Sequence, residues 1–379
     1  MKTLVIEGWR FLAHSYAMVG QQLALALGAR PDVEIFWRDA PPHDPTWRAT
    51  EDLWPPDAAA RLRAWHAPED QTRVDATLRI GAPLNFEPAA HGRTLVFGTT
   101  ESGCVGDYMV KGGDARRRLS ACTVDVLTCS AWSREGFLRS WLPSKRIFTI
   151  PLGVDPGVFR PLDAEHRARE RKAMGWEDRF VFLHLGAMTG NKGVDLLVRA
   201  FGEIAARHPK AMLLLKGSDN LYDSGLLVQG ALGALGARAS RDVLDRIRYV
   251  GRDLTNAEVA RLYQAADVYV SAYKAEGFNL PVLEAAACGT PVICTRGGPT
   301  DEFTDPSFAR RISSRLIVEP GAGKRELSPS LEHLISLMDE AARDEGFRAG
   351  ARAAGPQFVR AGWTWDHSAA ALRRVLGWD

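Results

Sequence analysis

The chain has 379 residues, which is more than one ordinary hydrophobic core accommodates and fits two domains. Hydrophobic residues make up 46% of the sequence and charged residues 25%, which is the composition of a globular protein and argues against a disordered chain. The 48 basic and 46 acidic residues nearly balance, which argues against a nucleic-acid-binding protein with a strongly basic surface. The densest basic run, Arg116–Arg118, is interpreted as the solvated face of a helix.

The cysteines and the apolar runs bear on the cellular compartment. The five cysteines include no Cys-x-x-Cys pair, so they favour neither a disulfide framework nor a zinc site, and we expect a reducing cytoplasm. The first residues, Lys2–Gly8, indicate a buried strand and lack the apolar length and cleavage site of a signal peptide. No stretch approaches the roughly 18 apolar residues of a membrane span. Peripheral contact with an acceptor at a membrane surface stays open.

The first half of the chain alternates short apolar runs with helical periodicity, which is typical of a parallel sheet with crossover helices. Two helices are predicted, Ala17–Leu27 and Ser133–Trp141, the second with Ser133 as its N-cap. The segment Ala40–Pro68 is rich in Pro and Trp, and is either a surface loop that shapes an acceptor site or an irregular connection. The predicted buried strands are Leu4–Ile6, Val33–Phe36, Leu95–Phe97, Val126–Cys129 and Ile147–Ile150.

A second α/β series begins near residue 180, after a polar segment, Pro161–Asp178, that is interpreted as the connection between domains. The chain is therefore predicted to contain two similar α/β halves in tandem, with a ligand cleft between them. The predicted strands of this half are Phe180–Leu185, Ala211–Lys216, Arg248–Val250, Val268–Ser271 and Pro291–Cys294, and its helices are Val194–Arg207, Ala257–Ala265 and Pro281–Ala287.

The segment from Glu276 to Glu284 follows one of these strands and enters a helix. Pro281 suits the first turn of that helix, and Gly289 suits the left-handed position just beyond its end. The helix start presents backbone N–H groups at the carboxyl edge of the sheet, where a phosphate binds well. Both glutamates are placed to face this edge, and a carboxylate accepts hydrogen bonds from vicinal sugar hydroxyls. The alternative for each is a surface charge on a helix.

Two glycine-rich turns lie at similar positions. The segment Gly186–Gly193 joins a strand to a helix and carries Lys192, which makes it a natural seat for a diphosphate leaving group. Its spacing matches neither the dinucleotide fingerprint nor the P-loop. The segment Gly297–Phe303 runs into a predicted helix start with Thr300 as its cap, where Asp301 and Glu302 either serve the site or complement the helix dipole.

These motifs resemble those of the retaining glycosyltransferases of family GT4. The resemblance rests on the Lys192-Gly193 turn, the Glu-x7-Glu segment and the Ala287-Cys-Gly-Thr-Pro-Val292 stretch that follows it. It continues in Thr128-Cys-Ser-Ala-Trp-Ser133, Ile150-Pro-Leu-Gly-Val-Asp-Pro156 and Tyr263-Gln-Ala-Ala-Asp267, and it is weak before residue 128. It implies the GT-B fold, in which two Rossmann-like domains face each other across a cleft. The expected parts are an acceptor-side domain at 1–165, a donor domain at 166–355 and a C-terminal helix at 356–379 that crosses back to the first domain.

The resemblance also implies roles for individual residues. Lys192 is expected to contact the donor diphosphate, Glu276 the transferred sugar and Glu284 the ribose hydroxyls. The glycines of the two loops, Gly186, Gly193 and Gly277, are expected to allow the backbone to approach the donor. Backbone N–H groups of Phe278, Asn279 and Leu280 are expected to contact sugar and phosphate, and the loop that carries Arg252 and Leu254 is expected to lie against the base.

The sequence departs from the family pattern at two places. Many members carry an arginine just after the first glycine of the turn, where this chain has Ala187, and Lys216 is the candidate that replaces this cation. The alternative for Lys216 is a surface lysine that extends its ammonium into solvent. In the first domain the usual glycine pair and histidine are replaced by Glu7-Gly-Trp-Arg-Phe11 and Gly98-Thr-Thr-Glu101. Thr100 and Glu101 are candidates for the catalytic polar groups there, and Glu101 is equally a candidate salt-bridge partner in a loop.

The resemblance implies transfer of a sugar from a nucleotide-sugar co-substrate, with retention at the anomeric carbon and without a metal or other cofactor. Lys192 and helix N-termini would stabilise the charge that develops on the leaving phosphate. The acceptor stays open among glycans, lipid-linked sugars, proteins and small molecules, and no nucleic acid partner is expected. The alternatives are a catalytically weak nucleotide-sugar-binding subunit of another transferase, and a phosphorylase or epimerase on the same architecture.

Overall fold

The computed structural model describes residues 1–320 and 323–379, which form two compact units. The first unit holds Met1–Gly153 and Thr364–Asp379, together with the described residues of 319–324. The second unit holds Val154–Val318 and Arg325–Trp363. Each unit contains a parallel six-stranded sheet with helices, which confirms the predicted α/β class.

The sheet of the first unit has the strand order β2-β1-β3-β4-β5-β6. Its strands are β1 (Lys2–Gly8), β2 (Val33–Asp39), β3 (Ala76–Ile80), β4 (Arg93–Phe97), β5 (Asp125–Thr128) and β6 (Ile147–Thr149). Strand β3 is absent from the sequence-based prediction, yet it lies in the middle of the sheet and pairs with both β1 and β4. The other five strands correspond to the predicted apolar runs.

The helices of the first unit are α1 (Ser15–Leu27), α2 (Pro56–Ala64), α3 (Ala115–Ser120), α4 (Ala131–Arg139) and, from the end of the chain, α13 (Trp365–Leu376). Helix α13 packs against α1. The predicted cap of α4 is wrong by one turn: Ser130 is the N-cap, and its Oγ accepts a hydrogen bond of 3.1 Å from the backbone N–H of Ser133. Ser133 is the donor in this bond because it already lies inside the helix.

The Pro- and Trp-rich segment Ala40–Pro68 is more ordered than an irregular connection. It contains a short 3-10 turn, Glu51–Leu53, and helix α2. Trp54 and Leu62 are buried in a small apolar cluster with Phe11. The segment therefore contributes core packing to the first unit, and its tryptophans are explained at least in part by burial.

The sheet of the second unit has the order β12-β11-β10-β7-β8-β9. Its strands are β7 (Phe180–Leu185), β8 (Ala211–Lys216), β9 (Ile247–Val250), β10 (Val268–Ser271), β11 (Val292–Thr295) and β12 (Ala309–Ile312), and a separate antiparallel hairpin follows, β13 (Ser314–Val318) and β14 (Arg325–Pro329). The first five correspond to the predicted strands, whereas β12 and the hairpin were not predicted. Chain order reverses between β7 and β10, and ligands of open α/β sheets bind at such a switch point.

The helices of the second unit are α5 (Ala164–Ala173), α6 (Val194–Arg207), α7 (Ser224–Leu232), α8 (Arg241–Asp245), α9 (Asn256–Ala265), α10 (Leu280–Ala287), α11 (Leu331–Arg343) and α12 (Glu345–Gly362). The segment Pro161–Asp178, interpreted as a connection, contains α5, whose N-cap Asp163 accepts from the backbone N–H of His166 at 2.9 Å. Arg167 and Arg171 of this helix both pair with Asp267, so the polar face of α5 is bound to the second unit.

The glycine turn Gly297–Phe303 does not begin as predicted. Gly298 occupies the N-cap position of a 3-10 turn, Pro299–Glu302, and Thr300 lies inside it. The Thr300 hydroxyl instead bonds Tyr273 and the carbonyl of Thr295 in the buried interior, so its assignment as a cap is wrong.

In the described ranges, 1–320 and 323–379, no helix combines the length and the apolarity that crossing a membrane requires.

Candidate functional site

The glycine turn after β7 is held against the loop after β10. The Asn191 carbonyl accepts hydrogen bonds from the backbone N–H of Lys274 at 2.7 Å and of Ala275 at 3.3 Å, and the Asn191 amide donates to the Ala275 carbonyl at 3.1 Å. Gly193 has φ +69°, and a Cβ there would lie 1.9 Å from the Ala272 carbonyl oxygen. Only glycine fits this close approach. The two loops that flank the switch point are therefore one connected structure.

This connection brings together Lys192 and Glu276, the two residues of the second unit that the sequence assigned to catalysis. The Lys192 ammonium lies 2.9 Å from Glu276 Oε1, and the side chains are 15% and 11% exposed. A pair this far from solvent is weakly screened by salt, so the two charges influence each other strongly. The arrangement holds a cation and a carboxylate side by side at the carboxyl edge of the sheet.

Glu284 lies on α10, and its carboxylate accepts a hydrogen bond of 3.0 Å from the Tyr263 hydroxyl. Burial raises the pKa of Glu284 to about 7, and the bond from Tyr263 opposes this shift only in part. Near pH 7 the carboxyl group is thus partly protonated, and a ligand that donates hydrogen bonds to the ionised form favours the loss of its proton. Glu284 is half-buried and its carboxylate is hydrogen-bonded to Tyr263, which argues against the alternative of an exposed surface charge.

The start of α10 has the geometry that the sequence indicated. Asn279 adopts a left-handed conformation with φ +80° at the N-cap, and its side-chain amide donates to Ser271 Oγ at 3.0 Å. Pro281 stands in the first turn, and Gly289 has φ +75° beyond the helix end. The first N–H groups of a helix have no intrahelical acceptor, so those near Leu280 are suited to an anion. Phe278 stacks on Phe303 at 4.5 Å between ring centroids, which fixes the loop before the helix.

Lys216 ends β8, next to the glycine turn, because the Gly186 N–H donates to the Lys216 carbonyl at 3.0 Å. Its side chain is buried, with the residue only 6% exposed, so the surface-lysine alternative is wrong. Burial lowers the pKa of the Lys216 ammonium, and the carboxylates of Asp253 and Asp219 oppose this shift. The Lys216 ammonium donates to the Gly217 carbonyl.

The loop predicted to lie against the base follows β9. Arg252 is largely exposed and pairs with Glu258 at 2.8 Å, and this pair lowers the pKa of Glu258 to about 2. Asp253 accepts from Ser218 Oγ and from the Asn220 amide, both at 3.0 Å. Leu254 is half-buried in the same loop. This loop is therefore connected to the loop that follows Lys216.

Glu101 and Thr100 belong to the first unit, in the loop after β4. Thr100 is fully buried, and it bonds Ser133 through both its backbone N–H and its hydroxyl, each at 3.1 Å. These bonds give Thr100 a structural role, so its assignment as a catalytic polar group is not supported. Glu101 is exposed, its carbonyl accepts from the Trp132 indole N–H, and its charge adds to the burial that raises the pKa of Tyr16 to about 12.

Several residues of this region carried no signal in the sequence. Asn191 lies inside the Gly186–Gly193 turn and Tyr263 begins the Tyr263–Asp267 segment, but no pattern in the sequence indicates a role for either residue. His184 appears in the sequence only as one polar residue in an apolar strand.

Among residues 1–320 and 323–379 no cluster of three or more His, Cys, Asp or Glu side chains is placed to hold a metal ion. Metal independence remains a prediction.

Comparisons with known proteins identify the family. A family model described as glycosyl transferases group 1 matches residues 179–336, which contain both loops. A GDP-mannose-dependent monoacylated alpha-(1-6)-phosphatidylinositol monomannoside mannosyltransferase of Corynebacterium glutamicum is 30% identical over 294 residues, which cover 75% of this chain and 70% of the relative.

Solved structures share the fold over the whole chain. Sucrose-phosphate synthase from Thermosynechococcus elongatus has a TM-score of 0.69 at 20% identity and covers 99% of this chain and 98% of its own. Anabaena HepE, solved in complex with UDP-glucose, has a TM-score of 0.71 at 13% identity and covers 100% of both chains. This chain therefore belongs to the group 1 glycosyltransferases of family GT4, with the GT-B fold, and it is a nucleotide-sugar-dependent glycosyltransferase.

Proposed function

We propose that the chain transfers mannose from GDP-mannose to an acceptor hydroxyl, and that the site around Lys192 and Glu276 binds this donor. The support for the donor is the name of the Corynebacterium relative, which specifies GDP-mannose and of which the chain covers 70%. Anabaena HepE was solved with UDP-glucose, but at 13% identity its likeness supports the fold and carries no weight for the donor.

The observation that carries the proposal is the Lys192–Glu276 ion pair at the switch point. Breaking the glycosidic bond leaves negative charge on the diphosphate and positive charge on the sugar. A preorganised ammonium stabilises the first, and a carboxylate beside it holds the hydroxyls of the sugar while offsetting the second. The pair thus provides a positive and a negative charge side by side. This arrangement suits a reaction in which the diphosphate leaves and the acceptor attacks on the same face of the sugar, with retention at the anomeric carbon.

Neighbouring groups complete the donor site in this proposal. Glu284 accepts hydrogen bonds from the ribose hydroxyls. The backbone N–H groups of Phe278, Asn279 and Leu280 contact the sugar and the phosphate. The glycines at 186, 193 and 277 allow close approach of the backbone, and the loop with Arg252 and Leu254 contacts the base. Lys216 supplies the second cation, in place of the arginine that many family members have at the position of Ala187. Lys192 and Lys216 then neutralise the charge of the diphosphate, a role that a metal ion has in other transferases. Glu101 remains the proposed polar group on the acceptor side.

Binding to the folded state tests the donor. A donor present at about 100 times its Kd stabilises a protein by about 2.7 kcal/mol, which is several degrees in Tm. We expect GDP and GDP-mannose to raise the Tm of the purified chain, and UDP-glucose at the same concentration to leave it unchanged. Release of GDP from GDP-mannose, followed over time, confirms turnover. Stabilisation by UDP-glucose alone would refute the proposed donor.

A surface patch of the first unit supports contact with an anionic membrane surface, where a lipid-linked acceptor would lie. We define this patch as Tyr108, Arg116, Arg117 and Trp141. Tyr108 is 84% and Trp141 52% exposed, and the Arg116 guanidinium lies 4.9 Å from the Trp141 ring centroid. Asp107 accepts from the Ala115 N–H at 2.8 Å, which keeps the Tyr108 turn at the start of α3. An exposed tryptophan ring beside an arginine, with a second exposed aromatic ring on the preceding turn, matches the interface of an anionic bilayer.

A further inference from the structure

His184 is a buried histidine in β7, the strand that leads directly into the glycine turn. It is 1% exposed, and its ring stacks on Tyr269 with centroids 6.3 Å apart and an angle of 10°. Its Nδ1 lies 2.8 Å from the Val270 carbonyl oxygen. A carbonyl only accepts, so Nδ1 carries the proton and the Nε2 atom of the neutral ring presents a lone pair.

That lone pair has no partner among the residues that the structure describes. His184 Nε2 is buried and accepts no hydrogen bond there. Buried acceptors are almost always satisfied, and leaving one unsatisfied lowers the stability of the fold. Burial lowers the pKa of His184 to about 4, and the nearby Lys192 charge acts in the same direction, so the ring does not become a donor at neutral pH.

The Nε2 atom faces the glycine turn. A Cβ built on Gly186 would lie 3.7 Å from His184 Nε2 and 3.9 Å from Lys192 Cγ. The histidine acceptor and the lysine side chain thus both border the space beside Gly186. From Cγ the lysine has three further bonds to its ammonium, which carries three rotatable donors and is long enough to reach across this space.

The Lys192 ammonium meets a changed set of partners when a donor binds. Without donor it bonds Glu276 Oε1 at 2.9 Å. In the proposed function Glu276 accepts hydrogen bonds from the sugar and Lys192 turns to the diphosphate, so the ammonium changes its orientation and one of its three donors is able to point to His184 Nε2. A neutral imidazole lone pair accepts this hydrogen bond without adding a negative charge that would oppose the phosphate.

We infer that His184 is a positioning residue for Lys192, whose ammonium donates to His184 Nε2 when the donor diphosphate is bound. This inference rests on the proposed role of Lys192. His184 itself touches no substrate, and its contribution is to aim the lysine at the leaving phosphate. It acts on kcat more than on donor binding, because the charge on that phosphate is greatest in the transition state.

Two substitutions separate the ring nitrogens. His184→Asn keeps an N–H donor near the Nδ1 position for the Val270 carbonyl and removes the Nε2 acceptor. His184→Gln places an amide oxygen near the Nε2 position. We expect His184→Asn to lower kcat at least about tenfold with donor KM changed less than about threefold, and His184→Gln to recover most of the loss, on the scale of one hydrogen bond to a charged group.

A double-mutant cycle with Lys192→Ala decides whether His184 acts through the lysine. Once Lys192 is gone, His184→Asn should cause no further loss of kcat. Tyr269→Phe is the matched control, because it removes the 3.2 Å bond to the Leu185 carbonyl in the same buried layer and should act equally in both backgrounds. A loss from His184→Asn that is equal with and without Lys192 overturns the inference. Wild-type kcat in Lys192→Ala instead overturns the proposed function.

A measurement on the unaltered protein covers the case in which His184→Asn fails to fold. In protein labelled with ¹⁵N-histidine, the Nε2 resonance reports whether its lone pair accepts a hydrogen bond. Adding GDP-mannose should move one Nε2 signal among those of the nine histidines toward the hydrogen-bonded range, and the same addition to Lys192→Ala should not. Absence of that shift in wild-type protein saturated with GDP-mannose overturns the inference.

Discussion

Lys192 Nζ lies 2.9 Å from Glu276 Oε1, although the two residues are separated by 84 positions in the sequence. Their strands, β7 and β10, are neighbours in the sheet, with Phe182 paired to Val268. The pair has little solvent around it, so removing either partner leaves the other charge poorly compensated. A mutation at one residue therefore also disturbs the charged group of the other.

Lys192→Ala is expected to lower kcat by roughly 10²–10³, the scale for removal of one preorganised group that stabilises developing charge. Lys274→Ala is the matched control, because Lys274 lies on the same loop as Glu276 and forms a pair of equal length, 2.9 Å, with Asp195 of α6, and the side chains of this pair are 31% and 47% exposed. Exposed pairs contribute little, so this variant should stay near wild type. Steady-state kinetics on both folded variants provides the test, and equal kcat values would contradict the role of Lys192.

The two glutamates should separate in their kinetics. Glu276→Gln is expected to depress kcat, because its charge acts on the reacting sugar and on Lys192. Glu284→Gln is expected mainly to raise the donor KM, because contacts with ribose are shared between the ground state and the transition state. Measuring kcat and KM for both variants with GDP-mannose distinguishes the roles. The reverse pattern would show that the assignments are exchanged.

The patch of Tyr108, Arg116, Arg117 and Trp141 predicts binding to anionic vesicles. We expect the chain to sediment with phosphatidylcholine vesicles that contain phosphatidylglycerol, and the double variant Arg117→Ala with Trp141→Ala to lose most of this binding. A basic residue near such a surface contributes about 1 kcal/mol. The control combines Arg241→Ala with Leu226→Ala, since both residues are exposed on the second unit. Equal loss in the two double variants would mean that the patch has no special role.

The parts of the fold that were predicted correctly are those with a local signal. Helix α6 and strand β8 have the predicted bounds, because apolar residues recur at helical spacing in the first and form a continuous run in the second. Strand β3 was missed because Arg79 interrupts its apolar run. The structure shows that this charge is satisfied by Glu7 of the neighbouring strand at 2.6 Å, in register with it. The partner is 72 residues away in the sequence, so no local pattern reveals it.

The candidate site shows the same limit. Three candidate residues can be identified from the local sequence alone, because each stands in a recognisable turn or helix start: Lys192, Glu276 and Glu284. Their partners depend on which strands become neighbours: Tyr263 bonds Glu284, and Asn191 joins the two loops. Capping also has an ambiguity that only the backbone resolves, because Ser130 and Ser133 are both good caps by residue type.

Lys216→Ala tests whether a second lysine serves the diphosphate. A charge-assisted hydrogen bond contributes about 1.5–3 kcal/mol, so the Kd for GDP should rise at least about tenfold. Adding Ala187→Arg should restore much of the affinity if the two positions serve one phosphate. Lys210→Ala is the control, since its side chain is 75% exposed just before the same strand. Titration calorimetry measures all four proteins. Wild-type affinity in Lys216→Ala would leave Lys192 and the helix N-termini as the whole diphosphate site.

The raised pKa of Glu284 leads us to expect that donor binding releases a proton. Its pKa of about 7 is raised by burial, so near pH 6 most of the free protein carries the neutral carboxyl group. Ribose hydroxyls donate to the charged carboxylate, so binding favours the ionised form and lowers this pKa. Donor affinity should therefore weaken as pH falls below 7, by up to about tenfold for each pH unit, and become independent of this group above about pH 8.

Calorimetry of GDP binding at pH 6.5 in two buffers of different ionisation enthalpy measures this release, because the apparent enthalpy then differs by the heat of protonating the buffer. The GDP phosphates also titrate in this range, so the matched comparison is with Glu284→Gln under the same conditions. The variant should release fewer protons than wild type and lose the part of the pH dependence that belongs to the carboxyl group. Equal proton release by the two proteins would show that the Glu284 carboxyl group stays in one protonation state on binding, and its contact with the ribose hydroxyls would have to be abandoned.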